Sequence, residues 1–103
     1  MSTMLHIINK SPFERAALDS CLRLAKPGSS ILLIEDGVYA AVQNTAHSEK
    51  ITSRKEDFSF YVLGPDVSAR GLSDKPLIEG VTAVAFEGFV DLVADHDVTQ
   101  SWL

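Results

Sequence analysis

A chain of 103 residues is long enough for one domain and too short for two, since domains usually run to roughly 100–200 residues. Hydrophobic residues at 46% and charged residues at 22% exclude a disordered tail and fit a packed core. Nine Lys and Arg stand against 14 Asp and Glu, a net charge of -5, so the chain lacks the basic face that direct nucleic-acid binding needs.

No apolar run is long enough to span a bilayer, and Met1 to Lys10 lacks the basic segment and apolar stretch of a signal peptide. The expected location is the cytoplasm, with no membrane partner. A single cysteine, Cys21, excludes an internal disulfide framework and a Cys-rich zinc site. His6, His47 and His96 lack metal-ligand spacing.

In chain order, Met4 to Ile8 reads as the first strand. Ser11-Pro12-Phe13-Glu14 fits a capping box with Pro at the first helical position, opening a helix that Lys26-Pro27-Gly28 stops. Ser30 to Ile34 is an aliphatic run read as a strand buried on both faces, and Glu35-Asp36-Gly37 turns into a short helix from Val38 to about Asn44. Thr45 to Glu56 is polar and reads as an exposed connection. Phe58 to Gly64 is the third strand, followed by a helical turn or two through Arg70-Gly71. Leu77-Ile78 forms a short strand or ledge, Val81 to Phe86 the last clear strand, and Phe89 to Ala94 a final helix whose apolar face holds Phe89, Val90, Leu92 and Val93. Strands alternating with helices imply an α/β fold, with helices on both faces of a small, mainly parallel sheet of about four to five strands. So small a domain has little core to spare, and its open sheet edges invite pairing, so an obligate oligomer is expected.

On a helical wheel, Phe13, Ala17, Leu18, Cys21, Leu24 and Ala25 share one arc, with Arg15, Asp19, Arg23 and Lys26 opposite. Cys21 lies near the middle of the apolar arc, where a free cysteine packs as a small hydrophobe and its pKa rises. From spacing, Cys21 is either such a packing residue or a reactive thiol.

Other candidates have bland and sharp readings side by side. Glu35-Asp36, after a buried strand, could hold Mg²⁺ or serve an anion site at the strand ends, as in a freestanding flavodoxin- or receiver-like module. That reading lacks a lysine after the last strand, and Asp36 as a helix cap is the simpler account. Ser11 has no glycine beside it to wrap a phosphate, so capping is preferred there too. His6 reads as a satisfied interior histidine, and His96 between Asp95 and Asp97 as solvated charge. Asp66 and Arg70 have i, i+4 spacing for an ion pair, or Arg70 contacts a partner. Trp102, near the end of the chain, is expected to dock on this domain or on a partner.

Met4-Leu5-His6, Asn9-Lys10-Ser11-Pro12 and Leu32-Leu33-Ile34-Glu35-Asp36-Gly37-Val38-Tyr39-Ala40-Ala41 resemble the opening of the DsrH/TusB family. Tyr61-Val62-Leu63, Asp66, Ala69-Arg70-Gly71, Phe89-Val90-Asp91-Leu92 and Trp102-Leu103 are similar to its second half. The resemblance covers essentially all of residues 1–103 as one such domain. It implies a non-principal subunit of a cytoplasmic sulfur-relay heterohexamer, with TusC/DsrF-like and TusD/DsrE-like partners and a TusE/DsrC-type carrier. The destination is tRNA wobble-uridine 2-thiolation in the Tus branch or sulfur oxidation in the Dsr branch. The main sulfur-carrying cysteine is expected on the TusD/DsrE-like subunit, and no cofactor or metal is called for. Ser20-Cys21-Leu22 resembles the DsrH side of the family, which makes Cys21 a candidate persulfide site; packing and persulfide readings both stand. Arg70 and Trp102 are the interface candidates.

Overall fold

The computed structural model describes residues 4–102, leaving Met1–Thr3 and Leu103 outside. Five strands form one sheet: β1 Met4–Ile8, β2 Ser30–Leu33, β3 Ser59–Leu63, β4 Val81–Val84 and β5 Val98–Trp102. Their order is β4-β3-β2-β1-β5, and every pairing is parallel. The helices are α1 Ala17–Leu24, α2 Ser48–Thr52, α3 Gly64–Ala69 and α4 Phe86–Asp95, with a 3-10 helix over Glu35–Ala41. This is the α/β architecture expected, with its upper estimate of strand number.

Side chains alternate across a strand, so the register sorts the sheet into two faces. Ile8, Ile31, Leu33, Phe60 and Val62 point to one face and form a single core with α1, α2, α3 and the 3-10 helix. Leu5, Ile7 and Leu32 point to the other, where Phe89 and Leu92 of α4 cover them. Central β2 is buried at all four positions, as its aliphatic run requires when helices lie on both sides.

Local departures from the sequence reading have identifiable causes. Ser11 does cap, but it caps a lone turn: its Oγ accepts from the Phe13 N–H at 3.2 Å, and its carbonyl accepts from Glu14 and Arg15. The helix proper begins at Ala17, so Phe13 is cut off from the apolar arc and is 55% exposed. The stripe that packs is Leu18, Cys21, Leu22 and Ala25, rotated away from Phe13 and Leu24. Spacings of three, four and seven residues define that face.

The polar stretch from Thr45 to Glu56 is not all exposed connection. It contains α2, anchored by the fully buried Ile51 and by Lys50, whose Nζ lies 2.8 Å from Asp19 of α1. Arg54 then donates from Nη1 to the Leu22 carbonyl, satisfying one of the last carbonyls of α1. Strand β4 stops at Val84 and α4 starts at Phe86, ahead of the expected Phe89.

Residues 98–102, unread as a strand in the sequence, form β5 along β1. Val-Thr-Gln-Ser-Trp has no strong alternation, and only the free edge of β1 makes it a strand. His96 is likewise no solvated charge. Its Nδ1–H donates to the Leu92 carbonyl at 2.7 Å, which leaves Nε2 to accept from the Ser30 hydroxyl at 2.8 Å. The ring thereby ties the end of α4 to the start of β2.

Candidate functional site

Parallel α/β sheets bind ligands at the carboxyl ends of their strands, where the chain leaves the sheet. Here those ends are knitted together by close backbone packing. Ile34 N–H donates to the Ile8 carbonyl at 3.0 Å, and a Cβ on Gly37 would collide with that same carbonyl. Only glycine lets the 3-10 helix approach β1 this closely. Beside it opens a cleft of about 310 Å³ lined by Ser11, Phe13, Glu14, Asp36 and Tyr39.

The carboxylates near this rim are engaged. Asp66 Oδ2 accepts from the Glu35 N–H at 2.7 Å, steadying Glu35 in a left-handed backbone conformation at φ 49°. Asp36 Oδ1 accepts from Arg70 Nε at 2.8 Å. The expected Asp66–Arg70 pair is thus replaced by two cross-links between α3 and the 3-10 helix. Asp36 does not cap that helix, because it lies inside it, after Ile34 at the cap. Arg70 is drawn in by the pair, with its side chain 23% exposed. Among the described residues no group of three or more His, Cys, Asp or Glu is placed to hold a metal ion.

Cys21 sits mid-helix in α1 with no exposed surface, within the larger core. Burial pushes its thiol up to about 12. Little thiolate forms there at neutral pH, and the buried sulfur offers no approach for in-line attack in the isolated chain. In the isolated chain Cys21 packs as a small hydrophobe among the core residues.

Trp102 docks on its own chain. It ends β5 opposite Ile8, packs half-buried against the larger core, and donates from Nε1 to His6 Nδ1 at 3.0 Å. Indole nitrogen only donates, so Nδ1 of His6 carries no proton and Nε2 does. That Nε2 is buried without a partner, so His6 is half-satisfied, and burial lowers its pKa. Cys21, Arg70 and Trp102 therefore do not converge on one site: one lies on the core side of α1, one at the end of α3 against the 3-10 helix and one at a sheet edge.

Sequence reasoning passed over the exposed apolar side of α4. None of the ten residues of α4 is buried, and Phe86, Val90 and Val93 are 59%, 66% and 41% exposed. The signal was present in the width of its apolar arc, which exceeds what one helix can press against one sheet face. Of the apolar face expected for this helix, Phe89 and Leu92 pack, while Val90 and Val93 lie on its uncovered flank. No described helix is long and apolar enough to cross a membrane.

Comparison with known proteins agrees with this architecture. The family model described as DsrH like protein matches residues 10–99. Protein TusB of Serratia proteamaculans is 33% identical over 99 residues, covering 96% of this chain and 100% of that protein. Protein TusB of Shigella flexneri is 34% identical over 101 residues with the same coverage. Among solved structures, the ychN protein from E. coli superposes with a TM-score of 0.82, at 19% identity, over 98% of this chain and 99% of that one. The MTH1491 protein from Methanobacterium thermoautotrophicum does so at 0.71 and 17% identity, over 96% and 97%. Those two likenesses speak for the fold alone. The match across residues 10–99 and the full-length identity to TusB proteins place this chain in the DsrH/TusB family.

Proposed function

We propose that this chain, as one domain over residues 1–103, is a non-principal subunit of a cytoplasmic sulfur-relay heterohexamer. Its partners are TusC/DsrF-like and TusD/DsrE-like subunits, and the assembly hands sulfur to a TusE/DsrC-type carrier. The observation that carries this reading is the end-to-end identity to TusB proteins, with the DsrH-like model matching residues 10–99. That the relatives are TusB proteins favours tRNA wobble-uridine 2-thiolation over sulfur oxidation as the destination.

The chemistry assigned to the assembly is thiol exchange without a cofactor. An acceptor thiolate attacks the outer sulfur of a donor persulfide and the donor S–S bond breaks. The donor leaves as a thiolate and the acceptor holds the persulfide, with no net oxidation or reduction. The burial of Cys21 and its raised pKa support placing both reacting thiols on other chains. Cys21 is then a core residue, and this subunit contributes surface and support. The strand-end anion or Mg²⁺ reading draws no support from the rim, where Asp36 and Asp66 are already bonded.

The test is the native mass of the tagged chain purified from its own cells, with its companions identified. A heteromer with two other small α/β subunits, one bearing a reactive cysteine, is the expected result. A monomer or pure homo-oligomer at mild salt would overturn it.

A further inference from the structure

In a parallel α/β sheet the loops at the strand ends often present free backbone N–H groups, and these suit an anion. Here that polarity is reversed. In the turn after β1, Pro12 has no N–H, and the Phe13 N–H is taken by Ser11 Oγ at 3.2 Å. The N–H groups of Glu14 and Arg15 are taken by the Ser11 carbonyl at 3.1 and 3.0 Å. Across the cleft, Asp66 Oδ2 holds the Glu35 N–H and the Ile34 carbonyl holds that of Gly37. None of these donors is left for a phosphate or a carboxylate.

What the cleft offers instead is oxygen and aromatic surface. Its lining of Ser11, Phe13, Glu14, Asp36 and Tyr39 includes no Lys, Arg or His, so every polar side-chain atom in it is an oxygen able to accept. Arg70 engages Oδ1 of Asp36 and leaves Oδ2 open among the described residues. Arg15, next to Glu14 in the chain, donates from Nη1 to the Glu14 carbonyl rather than to its carboxylate. Among the described residues no ion pair takes up that carboxylate, so its charge stays uncompensated. Phe13 is more than half exposed yet held in place: its N–H is bonded to Ser11, and its ring meets His47 edge to face at 4.6 Å. An exposed ring fixed beside a free carboxylate suits a flat organic cation. The volume of about 310 Å³ lies at the small end of ligand cavities, so it fits one side chain or a molecule of that size. A Ca²⁺ or Mg²⁺ ion is a poorer match, because it needs about six oxygens and Asp36 is already shared with Arg70.

We propose that the cleft between the Ser11–Arg15 turn and the 3-10 helix binds an alkylguanidinium group, the chemistry of an arginine side chain. The guanidinium stacks on Phe13 and donates to Glu14 and to Oδ2 of Asp36, while the Ser11 and Tyr39 hydroxyls accept its remaining N–H groups. A guanidinium suits these partners better than an ammonium, because it spreads five donors in one plane and offers a flat face to a ring. The inference does not rest on the relay role proposed above. The same group can come from free arginine or from an arginine on another polypeptide, and the test separates the two.

The probes are N-acetyl-arginine N-methylamide, its neutral citrulline analogue and free L-arginine, each titrated into the full isotope-labelled chain and followed by NMR. Glu14→Gln, Phe13→Leu and the double variant are compared with wild type; both positions are exposed, and circular dichroism confirms that each variant folds. Expected are saturable shifts confined to residues 11–15 and 35–39 with the arginine probes and none with citrulline. Each single variant should weaken binding about 3-fold or more, and the double variant about 10-fold or more. Tighter binding of free L-arginine than of the capped form would assign the cleft to a small molecule. Binding of the capped form at least as tight would assign it to an arginine on another polypeptide; either result supports the guanidinium site. No saturable binding of either form, an equal response to the citrulline analogue, or saturation of the same residues by inorganic phosphate would overturn the proposal. Binding that all three variants leave unchanged would overturn it too, by placing the guanidinium elsewhere.

Discussion

The two faces of the sheet follow the same strand alternation yet end in different states. On the face covered by α1, α2, α3 and the 3-10 helix, sixteen described residues form one buried core. On the face under α4, three residues are buried and five more are only partly so. The strands are equally apolar on both sides through β1 and β2, so the difference lies in the covering layer. One side has four elements pressed together; the other has one helix whose apolar arc is wider than the part it can press against the sheet. The face completed within the chain holds most of the buried core, and the other stays incomplete in the isolated chain.

Four changes would break or sharpen that contrast. The largest effect is expected at Phe60, which is 2% exposed on the complete face and stands edge-on to Phe58. Phe60→Ala should cost about 3–5 kcal/mol in urea unfolding. A loss below about 1 kcal/mol would mean that the core is looser than its burial implies.

Next is Cys21. Cys21→Ser places a hydroxyl where the thiol has no exposed surface, and should cost about 1–3 kcal/mol. The native thiol should also resist iodoacetamide until the chain unfolds, because burial holds its pKa near 12. Rapid alkylation of the folded protein would remove the packing account.

A smaller, pH-dependent effect is expected where β5 meets β1. His6 is neutral in the folded chain and its pKa is lowered by burial, so the unfolded chain binds the extra proton first. The stability from neutral His6 is therefore complete above the unfolded value of about 6.5 and is lost as pH falls through the lowered folded value. Protonation at Nδ1 also sets two donors against each other across the Trp102 contact. The chain has one tryptophan, so its fluorescence reports this contact directly. His6→Phe should flatten the pH dependence over that range; an unchanged profile would place the titration elsewhere. The smallest effect belongs to the incomplete face: Val90→Ala should shift the stability of the isolated chain by less than about 0.5 kcal/mol. A larger shift would show that α4 is already packed at Val90.

Much of the fold was legible in the residues themselves. The aliphatic run at Ser30–Leu33 announced a doubly covered strand, and Pro and Gly punctuation placed the ends of α1 and α3 closely. The start of α1 was less legible, because a Ser-Pro capping pattern closes one turn as well as it opens a helix. Ile51 hid in a polar stretch because one apolar residue makes no period. For the candidate residues, spacing left Cys21 between two roles and paired Arg70 with the wrong carboxylate. Asp36 lies 34 positions from Arg70, and only the folded chain brings them together.

The sequence by itself determined the alternation of strands and helices, the burial of β2 and the family, because each is written in local pattern or in residue identity along the chain. The tertiary structure alone decided that residues 98–102 become a strand, that His96 reaches Ser30, and that α4 keeps an uncovered flank. Each of these depends on what a distant segment leaves open or fills. A pattern of residues carries which faces are apolar; only packing settles which of them the chain can cover.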